Sequence, residues 1–186
     1  MKRLALLATL ALAGPATGDP ALEHLSGTWA DPAPYAYGPA FGHRSFTFAD
    51  GAWTLDFTLS FDPAGAVPVF RFRTGGEYAV VGPSAAQPGA WEADFGEARK
   101  LVTLQHPDPE VAAAFGLAEC GLEVGVETDI SATGCGPWKS VAACPMDHDL
   151  LKLTEAGLHF GERPADNDMC APGKRPTALT PAVVRQ

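Results

Sequence analysis

Acidic side chains and histidines are the residues of this sequence whose types and spacing could support chemistry. His148 lies between Asp147 and Asp149 in MDHDLL, and PADND contains Asp166 and Asp168. Imidazoles and carboxylates together can bind a metal ion or transfer a proton. A surface histidine beside solvated aspartates is the simpler interpretation, because the other histidines are scattered along the chain (His24, His43, His106 and His159). We therefore predict neither a metal ion nor another cofactor.

The motifs of common enzymes are missing from the sequence. It contains no Gly-x-Ser-x-Gly, no His-Glu-x-x-His, no phosphate-binding glycine loop and no EF-hand loop. A glycosidase pair of carboxylates stays open, since acidic residues are present, but no pair stands out. We predict a protein that is not an enzyme, with a hydrolase as the weakest alternative.

The four cysteines all lie in the C-terminal half and are even in number, which favours disulfides in an exported chain. Four cysteines allow three pairings. We predict the nearest-neighbour pairing, Cys120–Cys135 and Cys144–Cys170, because ECGLEVGVETDISATGC looks like a strand and turn closed by its own bridge. A zinc site is the alternative, but no Cys-x-x-Cys pair is present.

Large apolar side chains alternate with polar ones along much of the chain. In WTLDFTLSF the apolar residues from Trp53 to Phe61 share one face, while Thr54, Asp56 and Thr58 share the other. This pattern predicts strands with one buried face. Their apolar residues either fill a core or line a ligand cavity, and we predict the following as ligand contacts: Phe46, Phe48, Trp53, Leu55, Phe57, Leu59, Phe70, Phe72, Trp91 and Phe95.

About nine strands are predicted in all, joined by turns into an antiparallel meander. LEVGVE, with Leu122, Val124 and Val126, is one of these strands. Asp50-Gly51 predicts a hairpin, and DPAG, TGGE and SATG predict further reversals. PDPEVAAAFG predicts one short helix, with Asp108 as N-cap and Gly116 after its end. DPALEHL predicts a shorter helical turn.

The N-terminus reads as a signal peptide over residues 1–18. Lys2 and Arg3 precede an apolar run, and ATG offers a small-residue cleavage site. This run is too short to span a bilayer, which takes about 20 residues. Residues 19–186 then form one domain, secreted or periplasmic, without a membrane span and with an irregular tail from about residue 162. Without Lys2 and Arg3 the formal charge falls from −9 to −11, which argues against nucleic acid as a partner.

An ordered set of motifs resembles one known family. Gly27-Thr28-Trp29 comes first, followed by Arg44-Ser45-Phe46-Thr47-Phe48 and the Gly51-to-Trp53 strand. Asp62-Pro63, PVFRFRTGGEY, Glu119-Cys120-Gly121 and Thr133-Gly134-Cys135 follow in order. Together they resemble the domain of the adenomatosis-polyposis-coli-down-regulated proteins, known in animals as Wnt inhibitors, from about Leu25 to Arg163.

The resemblance implies an open, strongly curved antiparallel β-barrel, lipocalin-like in appearance, whose interior accepts a lipid acyl chain. Arg44 matches the family's arginine. It either pairs with a ligand carboxylate or phosphate or covers Trp29 by a cation–π contact. Family members carry one cysteine after Gly-x-Trp and another after Asp-Pro. Both are missing here, which is the pattern expected if one disulfide has been lost. The composition resembles that of a bacterium with a G+C-rich genome, where a Wnt partner is not expected.

Two functions therefore remain. The first is an exported, non-enzymatic barrel that binds a hydrophobic small molecule or acyl chain. The second is the same barrel with a filled core, which engages a protein partner through its acidic outer face or its proline-rich tail. In animal relatives that second role corresponds to Wnt binding and inhibition of Wnt signalling.

Overall fold

The fold is all-β, as the alternating pattern predicts. A computed structural model describes residues 19–186, and the predicted signal peptide over residues 1–18 lies outside the described residues. Antiparallel strands form a nearly closed barrel with one unsealed seam, and the helices are short. No helix within residues 19–186 is long and apolar enough to cross a membrane.

Eleven strands and two α-helices make up the described chain. The helices are α1 (Pro20–Glu23) and α2 (Pro109–Ala114). The strands are β1 (Gly27–Ala30), β2 (Tyr35–Tyr37), β3 (Ala40–Ala49), β4 (Ala52–Ser60), β5 (Pro68–Pro83), β6 (Trp91–Gly96), β7 (Arg99–Leu104), β8 (Glu127–Asp129), β9 (Met146–Thr154), β10 (Gly157–Phe160) and β11 (Val184–Arg185).

The main sheet has the order β10-β9-β6-β5-β4-β3-β1-β11, with β2 paired to β3. Strands β7 and β8 leave this path as a separate branch from β5. The β3–β4 hairpin turns at Asp50 (φ 50°) and Gly51 (φ 77°), as predicted for a two-residue turn in which both residues need positive φ. Helix α2 also follows its prediction, since the Asp108 side chain accepts the amide hydrogen of Glu110 and Pro109 begins the helix.

The predicted reversal at TGGE is wrong, because β5 runs straight through these residues. Both glycines are extended and serve close packing instead. A Cβ at Gly75 would lie 2.6 Å from the carbonyl oxygen of Trp53, and one at Gly76 would collide with the carbonyl oxygen of Gly96. Residues 70–75 of β5 pair with β7, whereas residues 78–83 pair with β6. The glycine pair therefore marks the point where the sheet divides into its two branches.

The predicted strand in LEVGVE is also wrong. Leu122 to Val126 form a loop, and the strand begins only at Glu127. Gly125 has a φ of 80° and donates its amide hydrogen to the carbonyl of Leu104, which interrupts an extended path. Val124 and Val126 are consequently exposed.

The buried apolar side chains form two clusters. The first, which we call the barrel core, lies inside the eight-stranded path and contains Leu22, Leu25, Phe46, Phe48, Trp53, Tyr78, Ala93, Phe95, Leu151, Leu158, Phe160 and Val183. The second core lies under α2 and the Cys120–Cys135 loop and contains Ala40, Leu59, Val69, Phe70, Phe72, Val102, Leu104, Ala112, Leu117, Ile130 and Cys135.

Both disulfides have the predicted pairing. Cys120 is bonded to Cys135, and Cys144 is bonded to Cys170. The first bridge closes the loop over the second core, and the second attaches the C-terminal tail to the segment before β9. Two disulfides fit a protein folded in an oxidising compartment.

The C-terminal tail has little regular secondary structure, yet its end belongs to the barrel. Leu179 pairs with Gly161, and Val183, which is fully buried, pairs with Leu158 of β10. Strand β11 then pairs with β1. The tail thus occupies the seam between β10 and β1. On the β10 side it is paired through isolated bridges rather than through a continuous ladder of hydrogen bonds.

Candidate functional site

The residues predicted as ligand contacts do not surround one cavity. Some belong to the barrel core (Phe46, Phe48, Trp53 and Phe95), and others to the second core (Leu59, Phe70 and Phe72). Leu55 and Trp91 are partly buried against the barrel core, and Phe57 is partly buried against the second core. The two groups share one face of the sheet but lie toward its opposite ends.

The barrel core is packed by its own aromatic rings. Phe46 stacks on Phe160 with ring centroids 3.9 Å apart, and Trp53 meets Phe95 edge-to-face at 4.9 Å. The Trp53 indole also donates a hydrogen bond to the carbonyl of Gly96. Dense packing of this kind is typical of a protein interior, so these rings form the core of the barrel and leave the less buried positions as candidates for ligand contact.

The predicted cation–π contact of Arg44 with Trp29 is wrong, and its guanidinium binds groups of the chain itself. Its Nε and Nη2 donate to the two carboxylate oxygens of Asp31, and Nη1 donates to the hydroxyl of Thr180. Nη2 also donates to the carbonyl of Pro181, and the guanidinium lies over the ring of Tyr35. Trp29 is covered by Arg185 instead. Because its donors are engaged within the chain, Arg44 holds the seam closed.

Two partly exposed apolar side chains lie between the two cores, at the middle of β4. Trp53 and Leu59 face inward and are 5% and 1% exposed. Leu55 and Phe57 lie between them on the same face, yet both remain partly exposed. Tyr35 borders Phe57, since a Cβ on Gly42 would lie 2.9 Å from the Phe57 ring and 3.4 Å from that of Tyr35. The inner face thus keeps partly exposed apolar surface at this level.

Charged side chains lie near Leu55. Leu55 pairs in register with Thr74, whose hydroxyl donates to Glu97 at 3.5 Å. Glu97 forms an ion pair with Lys100, and both side chains are almost completely buried. The Lys100 ammonium also donates to the carbonyl of Lys139, so this pair is well satisfied by hydrogen bonds.

Arg163, in the tail, reaches Asp147 of β9. Its Nη2 donates to Asp147 at 2.5 Å, and its Nε donates to Asn167 at 2.6 Å. One third of its side chain remains exposed, whereas Asp147 is buried. The charge of Arg163 lowers the pKa of Tyr35, of Glu97 and of Asp149.

Burial raises the pKa values of Asp149, Glu97 and Tyr35. Burial is the main cause that raises the pKa of Asp149 to about 7, although hydrogen bonds from the amides of Leu150 and Gly161 act in the opposite direction. The pKa of Glu97 is raised by burial and by the charge of Asp147. Burial also raises the pKa of Tyr35 to about 12, so its hydroxyl remains a donor at neutral pH.

We call the partly exposed patch formed by Leu55 and Phe57, with Tyr35 beside Phe57, the mouth. It offers two apolar side chains and the hydroxyl of Tyr35. Such a patch can hold the apolar part of an amphipathic molecule.

The interpretation of MDHDLL as solvated aspartates beside a surface histidine is wrong. Asp147 and Asp149 are 4% and 6% exposed and point inward. His148 points to the other side of β9, where its Nδ1 lies 2.7 Å from Asp94 and Arg175 covers the pair. The segment is covered on both faces, and on the tail side the amide of His148 donates to the carbonyl of Met169.

Among residues 19–186 one group of metal-ligand types lies close together, namely Cys144, Asp147 and Cys170. The two sulfurs are bonded to each other, so neither is available as a thiolate ligand. Asp147 is engaged by Arg163. Asp166 and Asp168 form ion pairs with Lys174 near the surface.

Tyr35, Glu97, Lys100 and Arg163 were not predicted from the sequence. The charged FGEARK stretch between two apolar strands is a signal for Glu97 and Lys100, because charges there interrupt the alternation. Arg163 lies in a proline-rich stretch without periodicity, and its inward position depends on the path of the tail.

Comparison with known proteins finds no family model that matches this chain and no curated protein that matches it.

Proposed function

We propose that this chain is an exported, non-enzymatic barrel that binds a hydrophobic or amphipathic small molecule, with an acyl chain as the best candidate. One observation carries the proposal: Leu55 and Phe57, inward-facing residues of a central strand, remain partly exposed between two buried cores. Apolar surface left open inside a fold is typical of a ligand site.

The export part of the proposal has separate support. Residues 1–18 have the composition of a signal peptide, and both disulfides form between cysteines that are close in space. The similarity to the adenomatosis-polyposis-coli-down-regulated domain remains a proposal that rests on the ordered sequence motifs, and it agrees with a curved barrel.

The ligand would use the mouth rather than the interior of the barrel core. Each methylene moved from water to an apolar wall contributes about 0.8 kcal/mol before the cost of ordering the ligand. Leu55 and Phe57 offer such a wall, whereas Phe46 and Phe160 already stack on each other. Of the predicted ligand contacts, the partly exposed ones are therefore the residues that would touch the acyl chain.

Substitution at Leu55 tests this function. We expect Leu55→Trp to fill the mouth. Its affinity for a fatty acid, measured by displacement of a fluorescent fatty acid, should then fall about tenfold or more, while the temperature of thermal unfolding changes little. Thr54→Trp, on the exposed outer face of the same strand, is the matched control and should leave binding unchanged. The proposal fails if wild-type protein binds no probe and Leu55→Trp loses about 1–3 kcal/mol of stability, as in an overpacked core.

A second candidate, a protein-interaction module, has one specific observation in its favour. Phe61, Val67, Val124 and Val126 are each more than one third exposed at the end of the second core. The amide of Phe61 donates a hydrogen bond to the carbonyl of Val67 across the β4–β5 turn, and the loop that contains Val124 is hydrogen-bonded to the carbonyl of Leu104. If Phe61→Ser and Val124→Ser lose binding of a specific protein partner but still bind the fatty-acid probe as the wild type does, this candidate is favoured.

A further inference from the structure

The Cys144–Cys170 disulfide lies against the buried side chain of Asp147. The two sulfurs and a carboxylate oxygen of Asp147 all lie within 4.8 Å of one another. Cys144 and Asp147 are 2% and 4% exposed, whereas Cys170 is partly exposed. Two thiolates and a carboxylate are a donor set that binds zinc in proteins, and here the bond between the sulfurs keeps them from acting as ligands.

The two carboxylate oxygens of Asp147 have different surroundings. Oδ2 accepts a hydrogen bond from Nη2 of Arg163, and Arg163 is itself held through Nε by Asn167. Oδ1 faces Cys144 Sγ at 3.8 Å, and a disulfide sulfur has no hydrogen to donate. No other group within residues 19–186 donates a hydrogen bond to Oδ1, so its acceptor capacity is unused beside the two sulfurs.

Reduction of this disulfide places two thiols beside the same oxygen. A dithiol reductant attacks one sulfur and breaks the S–S bond, and a second attack within the mixed disulfide releases the reductant as a cyclic disulfide. Two electrons pass to the cysteine pair, and the two hydrogens of the dithiol end on Cys144 and Cys170. The attack can begin at Cys170, the partly exposed partner. The thiols stay close together because their Cα atoms are 5.1 Å apart.

A divalent ion balances the charge of this reduced site. Thiols bind a metal ion as thiolates, so that binding releases two protons. Two thiolates and Asp147 then carry three negative charges, and the ion together with Arg163 carries three positive charges. Lys100 donates to the carbonyl of Cys144, but its charge is cancelled by its partner Glu97. Buried charges are tolerated when they are paired in this way.

The spacing of the donor atoms suits a tetrahedral ion of the zinc type. With zinc–sulfur bonds of about 2.3 Å and zinc–oxygen bonds of about 2.0 Å, sulfur and oxygen are about 3.5 Å apart. Cys144 Sγ and Asp147 Oδ1 are already 3.8 Å apart. Sulfur ligands favour zinc and cadmium over magnesium and calcium, which prefer oxygen.

We propose that Cys144, Cys170 and Asp147 form a redox-gated site for zinc or a similar sulfur-binding divalent ion. The disulfide closes the site, and its reduction opens it. Arg163 is a positioning residue, because its hydrogen bond to Oδ2 turns Oδ1 toward the sulfurs. The bound ion then attaches the tail to the segment before β9, as the disulfide does in the oxidised protein. The mouth takes no part in this site.

The test is titration of the full chain with Cd²⁺, followed through the ultraviolet absorption of cadmium–thiolate bonds. The protein is first reduced with a dithiol, which is then removed under inert gas. Cys120→Ser combined with Cys135→Ser isolates the proposed site, and this variant should bind one ion per chain. Cys144→Ser combined with Cys170→Ser is the matched control and should lose this binding, as should the oxidised wild type. Excess Mg²⁺ should not compete.

Asp147→Asn separates a folded site from a pair of thiols in an unfolded chain. In the variant without Cys120 and Cys135, the added Asp147→Asn change should weaken Cd²⁺ binding about tenfold or more. Asparagine has the same shape and can still accept from Arg163 through its amide oxygen. In an unfolded chain the thiols alone would bind the ion, and this change would have no effect. Tryptophan fluorescence follows the fold during each titration.

Three results would overturn the inference. The first is reduced protein that binds no Cd²⁺. The second is equal affinity in the two double-cysteine variants, or an affinity that Asp147→Asn leaves unchanged, since both indicate binding by any pair of thiols. The third is a reduced chain whose native tryptophan fluorescence is lost and is not restored by the ion.

Discussion

Arg44 Nη1 donates to the hydroxyl of Thr180 at 2.6 Å, across a sequence separation of 136 residues. The same guanidinium forms a two-pronged ion pair with Asp31, and both side chains are almost fully buried. One arginine on β3 therefore joins the segment after β1 to the tail that occupies the seam of the barrel.

Replacing Arg44 should open this seam. We expect Arg44→Met to lower the free energy of unfolding by about 3–5 kcal/mol, because removal of one partner leaves Asp31 buried and unpaired. Urea denaturation measures the loss. Arg71→Met breaks an exposed pair with Asp56 and should cost less than about 1 kcal/mol; similar losses in both variants would contradict the role of Arg44.

The end of the tail should contribute to stability as a part of the barrel. Val183 is fully buried in the barrel core, and Val183→Ala should destabilise by about 2 kcal/mol through lost burial. Val81→Ala is the control, since Val81 is 55% exposed and should change stability by less than about 0.5 kcal/mol. If Val183→Ala behaves as the control does, the tail is dispensable for the core.

The divided sheet depends on glycine at the branch point. Gly75→Ala would bring a Cβ to 2.6 Å from the carbonyl of Trp53, and we expect a loss of about 1–3 kcal/mol as the strands shift apart. Gly82→Ala lies in the same strand with nothing within 4 Å of the new Cβ. Thermal unfolding of the two variants should differ clearly, and a tolerated alanine at Gly75 would mean that β4 and β5 approach less closely.

The pH dependence of stability should report on Asp149. Its pKa is about 7 in the folded protein and about 3.9 in an unfolded chain. The raised pKa stabilises the fold fully below about pH 4, and this contribution is lost as the pH rises to about 7. Wild-type protein should therefore lose more stability over this interval than Asp149→Asn, measured by urea denaturation at each pH. If the stability of the wild type and of Asp149→Asn changes with pH in the same way, Asp149 is solvated in the folded protein.

Local patterns were sufficient for much of the architecture. Strict alternation from Trp53 to Leu59 predicts a one-sided strand, because successive side chains of a strand point to opposite faces. Asp50-Gly51 predicts its hairpin because both positions need positive φ. The two disulfides join nearest neighbours along the chain, and their pairing follows from the short loops that they close.

Other elements required the tertiary structure. TGGE has the composition of a turn, yet Gly75 and Gly76 are extended and serve the close approach of neighbouring backbones. LEVGVE alternates like a strand, but no neighbouring strand accepts it, and Gly125 turns the chain toward Leu104. Composition alone does not distinguish a glycine that turns from one that lets another strand approach.

The sequence by itself determined that this protein is a β-rich chain with two disulfides and many inward-facing aromatic rings. Only the tertiary structure decided that these rings divide between two cores, and that Arg163 of the tail pairs with Asp147 of β9. Periodicity reports which face of its own strand a residue occupies, since it arises from local backbone geometry. Which faces oppose each other depends on strand order, the fork at Gly75 and the path of the tail, and these are set by contacts between residues far apart in the chain.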